Sequence, residues 1–92
     1  MPTAITIVSM PRGAAPERVR RDWIGLTIPL PSPEMLRRDP PLSCHTGSHF
    51  VLRLEAIAAL KRSGNLESAR FWEALPLGKY LQFPQDCCEI IH

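Results

Sequence analysis

A chain of 92 residues, 45% hydrophobic and 22% charged with a net charge of +2, has room for one small domain, read here as spanning 1–92. Its hydrophobic content excludes a disordered chain, and no apolar run approaches the ~18 residues of a membrane span. A chain this short buries only about 60–65% of the surface its unfolded form exposes, so a disulfide, a metal ion or a partner subunit would each add to a thin margin.

No basic stretch precedes the first apolar residues, MPTAITIVSM, so no secretory signal is expected. Three cysteines without such a signal are read as free thiols in a reducing cytoplasm. The positive excess lies in residues 1–42, where six arginines face four acids; residues 43–92 hold five of each sign.

The β-branched run from Ala4 to Met10 predicts a strand over 4–10 that stops at Pro11. Pro11 to Pro16 is loop chemistry, and Glu17 to Asp22 forms a helical turn or an extended arm after Pro16. Trp23 to Ile28 reads as a strand over 23–28, with Ile24, Leu26 and Ile28 on one face and Trp23, Gly25 and Thr27 on the other. Five prolines between Pro29 and Pro41 make 29–41 an extended connector, with a short helical turn over Pro33 to Asp39.

The second half favours helix. Phe50 to Leu54 is compatible with a strand over 50–54 that hands over to a helix near Glu55. Lys61-Arg62-Ser63-Gly64 closes that helix, cations suiting its negative end and Gly64 supplying a positive φ. Asn65 then caps a second helix that Pro76 terminates, giving a helical hairpin over about 55–63 and 66–75. Its core candidates are Ile57, Leu60, Leu66, Ala69, Trp72 and Leu75.

The run from Leu60 to Leu75, with its G-N-x-E-x-A turn, resembles part of a tetratricopeptide repeat. It does not recur, its second helix stops early at Pro76, and a lone repeat cannot bury its own face, so no function is carried across. Strands over 79–83 and 87–91, joined by Pro84-Gln85-Asp86, are expected to pair as a terminal hairpin. Strands, then two helices, then strands indicate an α+β fold with a small twisted antiparallel or mixed sheet.

All Cys and His residues fall in two windows, Cys44 to His49 and Cys87 to His92. Cys44, His49, Cys87 and Cys88 are the candidate metal ligands, for a zinc ion tying the central loop to the second window. In a strand, Cys88 and His92 would stand about 13 Å apart and could not share an ion. Cys44 with a nearby histidine also has the makings of a nucleophile and base. The reading preferred for the cysteines is packing: Cys88 and Ile90 toward the core, Cys87 and Ile91 toward a second subunit. His45 and His49 are expected at the surface of a Thr-Gly-Ser loop.

Arg18, Arg20 and Arg21 beside Trp23 form the candidate nucleic-acid surface, cations for phosphates and a ring to stack on a base, although Glu17 and Asp22 flank it. No phosphate loop, dinucleotide fingerprint, HExxH or GxSxG is present, so no catalytic residue and no cofactor is assigned. The leading expectation is a non-catalytic, self-associating protein-interaction or regulatory domain. The alternatives are a nucleic-acid module and a zinc- or thiol-dependent protein.

Overall fold

The computed structural model describes residues 2–10, 15–41, 47–76 and 78–92. Two small antiparallel sheets pack with helices in an α+β arrangement, as the order of strand and helix signals predicts. No helix among the described residues is long and apolar enough to cross a membrane.

Strand β1, Ala4–Ile7, buries Ile5 and Ile7 completely and turns Ala4 and Thr6 the other way, the period of two that a half-buried strand requires. Helix α1, Glu17–Arg21, starts after Pro16, whose carbonyl accepts from the Val19 and Arg20 amides; Pro16 takes the N-cap, one place before the expected first helical position.

The strand expected over 23–28 contracts to β2, Thr27–Pro29. Helical-type bonds from Trp23 to Arg20, Ile24 to Arg21 and Leu26 to Trp23 curl the backbone, and Gly25 takes φ +88° to leave the turn. The side-chain alternation therefore breaks. Trp23, Leu26 and Ile28 are buried, whereas Ile24, expected beside Leu26 and Ile28, is 50% exposed.

The proline-rich connector holds helix α2, Pro33–Arg38, started by Pro33 and by the Ser32 hydroxyl, which accepts from the Met35 amide at 3.1 Å. Strand β3, Ser48–Leu52, runs directly into helix α3, Arg53–Arg62. Helix α3 closes in a Schellman motif: the Asn65 amide donates to Leu60 and the Gly64 amide to Lys61, with Gly64 at φ +81°.

Helix α4, Leu66–Ala74, then folds back on α3. Asn65 holds the N-cap position without the expected side-chain cap; its amide group donates to the Asp22 carbonyl instead, at 3.4 Å. The Arg53 guanidinium donates to the Trp72 and Glu73 carbonyls, setting a cation on the negative end of α4.

Strand β4, Tyr80–Pro84, pairs with β3, placing Val51 opposite Leu81 and His49 opposite Phe83. A 3-10 turn over Gln85–Cys87 redirects the chain, so β5, Cys88–Ile91, does not return to β4 as the expected hairpin. It joins the other sheet, in the order β2-β1-β5, and the Cys87 carbonyl accepts from the Val8 and Ser9 amides as it enters.

The core gathers Ile5, Ile7, Trp23, Ile28, Val51, Ile57, Leu60, Leu81 and Phe83. Of the hairpin candidates, Ile57, Leu60 and Ala69 are buried and Trp72 packs against the core from its rim. Leu75 is half-buried, and Leu66, the first residue of α4, is 55% exposed because contact with the core begins at Ser68 and Ala69.

Candidate functional site

The described residues among those singled out by sequence are spread over several elements. Cys44 and His45 lie outside the described residues. His49 is not a loop residue: it sits in β3 across from Phe83, on the face that carries Val51 inward. Its Nε2 is buried without a hydrogen-bond partner among the described residues. Cys87 closes the 3-10 turn that begins at Gln85, whose amide donates to the Gly47 carbonyl at 2.8 Å, and Cys88 opens β5. Among the described residues, no three His, Cys, Asp or Glu side chains group as a metal site.

Trp23 cannot stack on a base. It is fully buried, its ring edge-to-face against both Trp72 and Phe83 at centroid distances of 5.5 Å. The helical curl of residues 22–25 turns the indole inward, where a strand would have left it beside the arginines. Arg18 pairs with Glu67, Arg21 with Glu17 at 3.1 Å, and the Arg20 Nε donates to the Ala15 carbonyl at 2.9 Å. These cations face acids and carbonyls of their own chain.

An open surface concavity of about 500 Å³ is lined by Leu52, Arg53, Leu54, Glu55, Gly78 and Lys79. Its cations have structural employment: Arg53 caps α4, and Lys79 is bonded to Asp39, which raises the Lys79 pKa.

A different feature stands out on the three-stranded sheet. Ile7 donates to the Leu26 carbonyl at 2.9 Å and accepts from the Gly25 amide at 2.7 Å, so its backbone groups are spent on the β2 side. The Ile7–Cys88 pair is therefore a non-hydrogen-bonded pair of the β1–β5 ladder. Antiparallel alternation makes Ile5–Ile90 another such pair, which aims the Ile90 amide and carbonyl away from β1. Among the described residues no strand pairs with that edge.

Side chains follow the same register. Ile28, Ile5 and Ile90 lie side by side across the sheet, one row on its core face. Ile28 and Ile5 are fully buried; Ile90, at the end of the row, is 39% exposed. On the opposite face Ile91, beside Ala4, is also 39% exposed.

The two edges of this sheet differ. At β2 the outward-facing residues are Thr27 and Pro29, since Ile28 pairs with Ile5, and Pro29 has no amide to offer. At β5 the run Cys88-Glu89-Ile90-Ile91 contains no proline or lysine, and its one charge, Glu89, lies on the face opposite Ile90. Sequence reading turned Ile90 toward the core; the register does so too, but as part of the sheet's last strand Ile90 stays partly uncovered. The available signal was the Ile90-Ile91 pair, β-branched and without proline or lysine beside it.

Comparison with protein-family models, with curated proteins and with solved structures gives no match to this chain.

Proposed function

We propose that this chain is a small non-catalytic interaction domain that binds another protein by strand addition at the open edge of β5. The observation that carries this reading is the outward-facing backbone of Ile90, next to two isoleucines that the domain leaves partly uncovered. An added strand gains affinity from the main-chain bonds and selectivity from the side chains it lays beside Ile90 and Ile91. The β2 edge, with Pro29 in it, does not compete.

Ile90→Pro tests the reading. It removes the outward donor without touching the β1–β5 ladder, because the Ile90 amide takes no part in that ladder. Partner capture by the wild-type domain that disappears with Ile90→Pro, at unchanged far-ultraviolet circular dichroism, is the expected result. A partner retained equally by both proteins would overturn the strand-edge mode.

A further inference from the structure

We infer that residues 31–41, the proline-rich segment carrying α2, form a strap that gates the outer face of β3 at Phe50, and that Asp39 is the latch that holds it shut.

The strap is defined by where its bonds go. Before it, the Leu30 amide donates to the Thr3 carbonyl at 2.9 Å; beyond it, the Gly47 carbonyl accepts from the Gln85 amide at 2.8 Å. Between these anchors, the Met35 amide donates to the Ser32 hydroxyl, and the Leu36 and Asp39 amides donate to the Ser32 and Met35 carbonyls. Glu34 and Arg38 pair within the same segment. All of these bonds hold the strap together and none holds it down. Among the described residues, the hydrogen bonds and ion pairs that tie 31–41 to the rest of the domain meet at Asp39 alone. Its carboxylate accepts from the Lys79 ammonium and its carbonyl from the Tyr80 hydroxyl, both at the start of β4.

Packing adds little to that latch. None of residues 31–41 is buried. Two open concavities lie against the strap, one of about 260 Å³ bordered by Pro33, Leu36, His49 and Phe50, the other of about 360 Å³ bordered by Asp39, Pro40, Phe50 and Tyr80. Phe50 borders both, on the sheet face opposite the buried Val51 and Leu81. Gaps on either side of the ring leave it without the dispersion contacts of a closed core. A segment with few buried apolar contacts and exposed hydrogen bonds opens locally, well below the free energy of global unfolding. Lifting this one uncovers an aromatic side chain and leaves Val51 and Leu81, on the other face, packed as they are.

Hydrogen exchange of the full chain reads the opening. The Met35, Leu36 and Asp39 amides are expected to exchange faster than the Ile7 amide, which is bonded to Leu26 in the core sheet, and without acceleration by low urea. Lys79→Ala combined with Tyr80→Phe removes both latch bonds and keeps the backbone bond from Arg53 to the Lys79 carbonyl. In that variant the strap amides are expected to exchange about five- to tenfold faster, with Ile7 unchanged. In a Cys44→Ser, Cys87→Ser, Cys88→Ser background, iodoacetamide labelling of Phe50→Cys is expected to quicken by a similar factor when the latch is removed. Strap amides that exchange no faster than Ile7 would overturn the strap, since 31–41 would then open only with the whole domain. Strap exchange unchanged in the double variant, or Ile7 accelerated equally, would overturn Asp39 as the latch. Faster strap exchange with unchanged labelling at position 50 would mean that α2 frays in place, and would overturn the gate.

Discussion

Trp23 and Trp72 meet edge to face, their ring centroids 5.5 Å apart and their planes inclined at 63°. Trp23 sits in the turn that follows α1 and Trp72 in α4, and the Trp23 ring makes a second edge contact with Phe83 of β4. One indole thus joins the N-terminal turn to the helical hairpin and to the two-stranded sheet. Trp23→Ala is expected to cost about 3–5 kcal/mol, most of what a domain of this size has in reserve. Trp23→Phe retains a ring and removes an indole N–H that has no partner among the described residues, so its loss is smaller. Urea unfolding followed by circular dichroism checks both; a Trp23→Ala protein as stable as the wild type would contradict the packing described.

The same N-terminal turn is tied to α4 by a polar contact. The Ser68 hydroxyl, 1% exposed, donates to the Asp22 carboxylate, and Asn65 donates to the Asp22 carbonyl. Ser68→Ala leaves a half-buried carboxylate short of a donor and is expected to cost about 1–3 kcal/mol, read as a lower urea midpoint at unchanged slope. Arg18 and Glu67, between the same two helices, are each about three-quarters exposed, so Glu67→Ala should leave the midpoint where it is. Equal losses from the two substitutions would mean that the surface ion pair docks α1 on α4 as strongly as the Asp22–Ser68 bond does.

The sequence made the helical hairpin legible because its signals are local. Lys61, Arg62 and Gly64 mark an ending that depends on a few neighbouring residues, and the Schellman bonds form there. Strand pairing is not local. The expected 79–83 with 87–91 hairpin rested on the short separation of the two runs, but the 3-10 turn at Gln85–Cys87 sends β5 to β1, more than eighty residues earlier in the chain. Ile90 keeps the core-facing side expected of it, but beside Ile5 of β1 and not beside β4. Trp23 went wrong for a related reason: alternation over 23–28 is equally compatible with a turn that buries Trp23 and Leu26 on one side, and only Gly25 hinted at it.

Gly64 offers a clean measure of one of those local signals. A Cβ added there would meet nothing within 4 Å, so any cost of substitution comes from the φ of +81° alone. Gly64→Ala is expected to destabilise by about 1–2 kcal/mol, the penalty of the left-handed region for an L-residue. Gly64→Asn should recover part of that loss, because asparagine tolerates this conformation better. Thermal or urea midpoints of the three proteins give the comparison. An Ala variant no less stable than the Asn variant would show that the α3–α4 turn can close without the left-handed residue.

Cys88 packs against the core from β5, and its thiol pKa is pushed up to about 11, first by burial and then by the neighbouring Cys87 and Asp86, which oppose another negative charge. The thiolate is the reactive form, so at pH 8 Cys88 should be alkylated roughly a hundredfold more slowly than an ordinary free cysteine. The measurement is made in a Cys44→Ser, Cys87→Ser protein, which keeps the burial that is the largest cause. Iodoacetamide labelling is expected to stay slow at pH 8, to rise through pH 10 to 11, and to become fast at pH 8 once urea unfolds the chain. Stability follows with a definite sign. The unfolded thiol ionises from about pH 8.5 while the folded one stays protonated, so its contribution is complete below that pH and is lost as pH climbs toward 11. Cys88→Ala should therefore lose less stability than the Cys88-containing protein between pH 8 and 10.5. Labelling of folded Cys88 at the free-thiol rate at pH 8 would place its side chain in solvent, off the core face that the Ile7–Cys88 register assigns to it.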